Sequence, residues 1–142
     1  MWFSNRAIIN QNGNNHNTRV VQTGKGNEAL LLAVGGLTNT EVNQTGNNNS
    51  IVGILGNNSL QLYSAILEQR GNSNNIELTL LGNNEISGVE RLVSVTQNGS
   101  NLNFSGTYDS PDVPVRIEQK SGENGQGMDV NVTTSAFYFP IN

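Results

Sequence analysis

Residues 41–52 read EVNQTGNNNSIV, and the same frame stands about 22 residues earlier as TRVVQTGKGNEA at 18–29. Both carry a Gln with an aliphatic residue two positions before it (Val20, Val42) and a Gly two positions after it (Gly24, Gly46). Self-similarity at a fixed period decides an architecture before any local propensity does. Working outward, Gln11, Gln22, Gln44, Gln69, Gln97 and Gln119 follow Ile9, Val20, Val42, Leu67, Val95 and Ile117 at that same distance. Gly13, Gly24, Gly46, Gly71 and Gly99 lie two residues beyond the first five, and Gln119 is followed by Ser121 and Gly122.

The Gln spacings are multiples of about 11 or slightly more, so alternate half-repeats keep the frame without the Gln, with Ala33, Leu55, Leu80 and Tyr108 in its slot. Each half-repeat predicts a short strand of alternating side chains closed by a Gly/Asn turn. Sorted by parity, the slots give two stacks. One carries Ala7, Ala29, Ile51, Ile76 and Phe104 four residues ahead of the slot; the other carries Thr18, Thr40, Ala65, Val93 and Val115. Period-2 alternation turns these sets inward and leaves Asn10, Arg19, Asn43, Glu68 and Glu118 outside. The expected fold is all-β: a parallel two-sheet β-solenoid of about five coils, each of about 22 residues. Gly53 and Gly106 interrupt the aliphatic column of the first sheet and predict a bulge or local thinning.

Stacking in register places Gln22, Gln44, Gln69, Gln97 and Gln119 above one another as a hydrogen-bonded ladder, with Gln11 at the equivalent slot of the first coil. A buried, unsatisfied amide costs about 1–3 kcal/mol, and the ladder turns that penalty into a register lock. Asn5, Asn27, Asn49 and Asn74, six residues ahead of their slots, predict a second ladder. The glycines at 13, 24, 46, 71 and 99 supply the positive φ of the turns. SLQLYS at 59–64, EISGVE at 85–90 and the proline-bearing YDSPDVP at 108–114 fall in the same turn of successive coils, and are expected to project from one edge.

These residues resemble the curlin repeat, Asn-x-Ala-x-Ile-x-Gln-x-Gly-x-x-Asn. NRAIINQNG at 5–13 matches it position by position, with His16 where an Asn is expected, and the match continues strongly to about residue 52. The frame then persists with substitutions to Gln119, so residues 1–122 read as curlin-like repeats and 123–142 as a non-repeating C-terminal strand or cap. The resemblance implies a secreted subunit of a curli-type functional amyloid at the bacterial cell surface or in the extracellular matrix. On that resemblance the coils stack end to end into a cross-β fibre that serves adhesion and the biofilm matrix. Its partners are then further copies of itself, a nucleator subunit and a secretion pore.

Composition narrows the remaining classes. A net charge of −4 with pI near 4.8 leaves no basic stripe for nucleic acid or for anionic membranes. No apolar run approaches 18 residues, and MWFSNR does not read as a signal peptide, so the chain reads as cytoplasmic or as a mature segment whose leader is gone. With no Cys and a single His, no thiol chemistry and no metal site are expected. His16 reads as a surface turn residue, and Asp109, Asp112 and Glu118 as a solvated loop rather than an acid/base pair or a calcium loop. Tyr63, Tyr108, Phe104, Phe137, Tyr138 and Phe139 read as core and cap filling rather than a ligand-stacking surface. The chain is thus expected to be no enzyme, to need no cofactor and to bind no small molecule.

Two rivals stand beside the fibre subunit. One is a capped, monomeric β-solenoid adhesin or binding module, in which tail and insertions block polymerisation. The other is a polysaccharide-cleaving β-helix, which needs longer coils and clustered carboxylates. In the tail, Met128, Val130, Val132, Thr134, Ala136 and Tyr138 alternate. They read as one more strand, or as a segment that caps the last coil or completes a neighbouring subunit.

Overall fold

The chain alternates between two facing sheets, one strand in each per coil. The computed structural model describes residues 4–35, 38–55, 63–79, 91–107, 115–122 and 125–133. The first sheet holds β1 (Arg6–Ala7), β3 (Glu28–Ala29), β5 (Ser50–Ile51), β7 (Asn75–Ile76), β9 (Leu102–Ser105) and β11 (Met128–Asn131), in that spatial order. The second holds β2 (His16–Lys25), β4 (Thr38–Asn47), β6 (Tyr63–Asn72), β8 (Arg91–Asn98) and β10 (Val115–Lys120), also in chain order. Every pairing between these strands is parallel, and no helix occurs among the described residues. The architecture is the two-sheet β-solenoid that the repeat predicts.

Register follows the sequence frame residue for residue. Val20 pairs with Val42, Val42 with Leu67, Leu67 with Val95 and Val95 with Ile117. In the first sheet Ala7, Ala29, Ile51, Ile76 and Phe104 stack in one column, which Val130 extends by a sixth member. The two inner faces close on each other to bury Ala29, Leu31, Val42, Ile51, Leu67, Ile76, Leu78, Val95 and Phe104. Burial of this kind contributes about 25 cal/mol per Å² of apolar surface, and parallel stacking repeats it coil by coil.

The strands of the first sheet are shorter than the alternation in each half-repeat predicts. Its ladder in β3, β5 and β7 is only two residues long, although inward and outward residues keep alternating past it: Ala29, Leu31 and Ala33 are buried while Leu30 and Leu32 are exposed. The backbone has left the sheet by then, with left-handed φ of 49° at Ala33, 109° at Ile54 and 61° at Leu55. At Gly53, where a bulge or local thinning is expected, the chain is buried with φ of +102°. A Cβ there would stand 2.7 Å from Leu31 Cδ2, so the neighbouring Leu fills the space a side chain would take. Leu80, Tyr108, the insertions at 59–62 and 85–90, the 108–114 segment and Thr134, Ala136, Phe137, Tyr138 and Phe139 lie outside the described residues; of 59–64, Tyr63 and Ser64 already belong to β6.

Because Ile51 is fully buried between Ala29 and Ile76, Ile51→Val is expected to lower the unfolding free energy by about 0.5–1.5 kcal/mol. Denaturant titration at unchanged m-value is the check, and an effect above about 3 kcal/mol would mean that the column is packed differently.

Candidate assembly site

Five glutamines from β2, β4, β6, β8 and β10 form one continuous column inside the tube. Nε2 of each donates to Oε1 of the next: Gln22 to Gln44 at 2.7 Å, Gln44 to Gln69 at 2.9 Å, Gln69 to Gln97 at 2.9 Å and Gln97 to Gln119 at 2.8 Å. The sequence separations are 22, 25, 28 and 22 residues, so both insertions are absorbed without a slip of register. Gln44, Gln69, Gln97 and Gln119 are buried, whereas Gln22 at the end of the column is half-buried.

Each amide also bridges to the opposite sheet. Gln44 Nε2 donates to Glu28 O at 2.9 Å and Asn49 O at 3.1 Å, and Gln97 Nε2 to Asn75 O at 2.7 Å and Leu102 O at 3.0 Å. Two hydrogens thus serve three acceptors, one of them shared. These backbone partners are invisible in the repeat, because nothing in a side-chain pattern announces which carbonyls face the interior.

The asparagine column is braced differently. The backbone N–H of Asn27, Asn49, Asn74 and Leu102 donates to Oδ1 of Asn5, Asn27, Asn49 and Asn74 respectively, at 3.0–3.1 Å. Nδ2 of the same four Asn side chains donates to the carbonyls of Gly24, Gly46, Gly71 and Gly99 at 3.1, 2.9, 2.9 and 2.8 Å. The column stops at Leu102, whose side chain offers no acceptor to the next coil.

Three sequence expectations need correction. Gln11 is exposed and stands outside the ladder; its Nε2 donates to Thr18 Oγ1 at 2.7 Å, because its slot belongs to the first sheet, where Ala33 and Leu55 follow it. Gly24, Gly46 and Gly71 have positive φ like Gly13 and Gly99, but they lie inside β2, β4 and β6 rather than in the turns. The turns are made two residues later by Gly26, Asn48, Ser73 and Asn101 with φ of 55–65°, residue types that tolerate the left-handed region. His16 is no surface turn residue. It opens β2 half-buried opposite Thr38, with Nδ1 2.6 Å from Thr38 Oγ1 and Nε2 buried without a partner among the described residues.

A further column escaped the sequence reading. Outside the tube, Lys25 N donates to Asn47 Oδ1 at 3.1 Å, Asn47 N to Asn72 Oδ1 at 3.0 Å and Asn72 N to Ser100 Oγ at 3.3 Å, an exposed polar ladder three residues after Gln22, Gln44, Gln69 and Gln97. Arg6–Glu28 and Arg19–Glu41 pair at 2.8 Å along the stacking axis, one coil apart. Exposed pairs of this sort are worth about 0–1 kcal/mol, so they align coils more than they hold them. Glu118 is exposed too, and the hydrogen bond and charge of Lys120 hold its carboxyl below the ordinary range. Asp109 and Asp112 lie outside the described residues.

Both ends of the Gln column are chemically unfinished. Among the described residues no donor reaches Gln22 Oε1, and Gln119 Nε2 donates to Asn103 O at 2.8 Å and Met128 O at 3.2 Å without the Gln acceptor its predecessors have. Among the described residues β2 and β10 are the outer strands of their sheet, and no strand pairs with their outer edges. Comparison with family models, with curated proteins and with solved structures finds no match to this chain.

Proposed function

We propose that the chain is the structural subunit of an extracellular, curli-like amyloid fibre, built by end-to-end addition of copies of itself. The observation that carries this reading is the directional Gln column, which among the described residues has an idle acceptor at Gln22 and a donor short of one partner at Gln119. Identical ends repel such a ladder, whereas head-to-tail contact continues it. A head-to-tail contact that never closes generates a filament rather than a ring.

The junction aligns β10 with β2 of the incoming copy, Gln119 on Gln22 and Ile117 on Val20. The same register sets Arg116 beside Arg19 of that copy, with Glu118 and Glu41 close by in their own chains. That like-charge contact opposes docking at low ionic strength and is screened by salt. Curlin-type fibres, export through a secretion pore and help from a nucleator subunit all belong to this proposal, as does a bacterial surface location.

Aligned fibres of the purified protein are expected to give a meridional reflection near about 4.8 Å with an equatorial one near about 10 Å. Sedimentation separates the rival: a capped adhesin-like module stays monomeric at high concentration, and a protein that does so overturns the fibre reading.

A further inference from the structure

Strands of the Gln sheet sit between two successive strands of the opposite sheet, and the amides of Gln22, Gln44, Gln97 and Gln119 record which two. Gln22 Nε2 donates to Arg6 O in β1 and to Asn27 O just ahead of β3. Gln97 bridges β7 and β9 through Asn75 O and Leu102 O, and Gln119 bridges β9 and β11 through Asn103 O and Met128 O. The far strand for one Gln is therefore the near strand for the next: β9 lies beyond Gln97 and before Gln119.

At a junction in which Gln119 donates to Gln22 of an incoming copy, the near strand for that Gln22 is its own β1. The far strand for Gln119 is β11. Both claims fall on a single position of the first sheet, directly on β9, and two strands cannot share it. We propose that β11 is a displaceable cap, an intramolecular competitor for the place of the incoming copy's β1, so that growth at the Gln119 end requires β11 to leave. This inference rests on the fibre reading and adds a regulator to it.

Charge decides which of the two strands yields. Arg6, Glu28, Ser50, Asn75, Asn103 and Asp129 share one outward column. If β11 stays and the incoming β1 is expelled, Asp129 faces Glu28 of that copy, and the Arg6–Glu28 pair at 2.8 Å is lost. If β11 leaves, Arg6 settles beside the neutral Asn103 and keeps Glu28. The hold on β11 is also modest. It pairs with β9 over four residues, Asn103 Nδ2 donates to Asp129 Oδ1 at 2.7 Å, and Val130 and Val132 pack half-buried on the core while Met128, Asp129 and Asn131 remain exposed. Among the described residues β11 is paired along one edge only and buries little surface, which places it at the low-stability end of local opening.

Seeded elongation of the full chain, followed by sedimentation and electron microscopy, tests the cap with two variants of opposite sign. Val130→Pro removes a ladder N–H and the inward side chain of β11, and is expected to speed elongation by about tenfold, equivalent to about 1.4 kcal/mol off the barrier. Arg6→Glu weakens the incoming β1 by setting a carboxylate against Glu28, and is expected to slow it several-fold. Both variants elongating at the rate of the unaltered chain overturns the cap and leaves the fibre reading standing. Val130→Pro slowing growth means that β11 bridges subunits, which also overturns it. Fibres from none of the three proteins remove the fibre reading, and the cap with it.

Discussion

Gln97→Ala is expected to lower the unfolding free energy by about 3–5 kcal/mol, a loss out of proportion to the few atoms removed. The side chain is fully buried, accepts from Gln69, and donates to Gln119, Asn75 O and Leu102 O. Truncation leaves an amide hydrogen of Gln69, Oε1 of Gln119 and the Leu102 carbonyl without their partner, and a buried group so stranded costs about 1–3 kcal/mol. The carbonyls keep part of their other contacts, which holds the total below the simple sum. Gln11→Ala is the matched control: the side chain is exposed and among the described residues bonds to Thr18 alone, so an effect within about 0.5 kcal/mol is expected. Gln97→Glu adds a titration to the test. Burial among acceptors favours the neutral carboxyl, which donates where the amide did, so the folded-state pKa is raised and stability falls as pH rises through it. Denaturant midpoints for the three variants check the scheme. A Gln97→Ala loss no larger than that of Gln11→Ala would show that the column aligns the coils without stabilising them.

The repeat made the register of the Gln sheet legible because it couples two signals that fail independently. An inward Gln is tolerable only if something satisfies it, and a Gly two residues on is needed only if φ is positive there or the next coil's backbone comes too close for a Cβ, so their recurrence together fixes both face and phase. Hence Gln22, Gln44, Gln69, Gln97 and Gln119 fall into line despite unequal spacing. The first sheet was less legible. Its side chains alternate as a strand should, yet the ladder in β5 ends at Ile51, since Gly53, Ile54 and Leu55 all take positive φ. Inward–outward alternation reports where side chains point, not whether N–H and C=O groups remain paired. The strand β11 was visible only as an alternating tail, because the Gln-x-Gly that marks other coils is missing beyond it. What places it is Val130 stacking on Phe104, a contact between residues of different type that no repeat pattern records. The turn residues Gly26, Asn48, Ser73 and Asn101 carried a usable signal, left-handed-tolerant types four residues after each Gln, which the more frequent Gly at the second position obscured.

Gly46→Ala is expected to have the largest effect of any single substitution considered, above about 4 kcal/mol and sufficient to prevent folding of the middle coils. Gly46 has φ of +118°, a region L-residues rarely adopt, and an added Cβ would lie 1.9 Å from Gly71 O. Relief by movement is blocked from the other side. Gly71 O accepts from Asn49 Nδ2 at 2.9 Å, and Asn49 is itself tied to Asn27 Oδ1 through both its backbone N–H and Nδ2 at 3.1 Å. Shifting one carbonyl therefore loosens the asparagine column above and below it, and packed interiors do not absorb displacements of that size. Gly125→Ala separates conformational strain from collision. Its φ is +67°, but none of the described residues stands within 4 Å of the added atom, so a loss of about 1 kcal/mol is expected from backbone preference alone. Circular dichroism and hydrogen exchange on the two variants provide the measurement. A Gly46→Ala protein that keeps parental protection in β4 and β6 would mean that the glycine column is looser than a close-packed seam, and that the turns rather than the Gln and Asn ladders set the distance between coils.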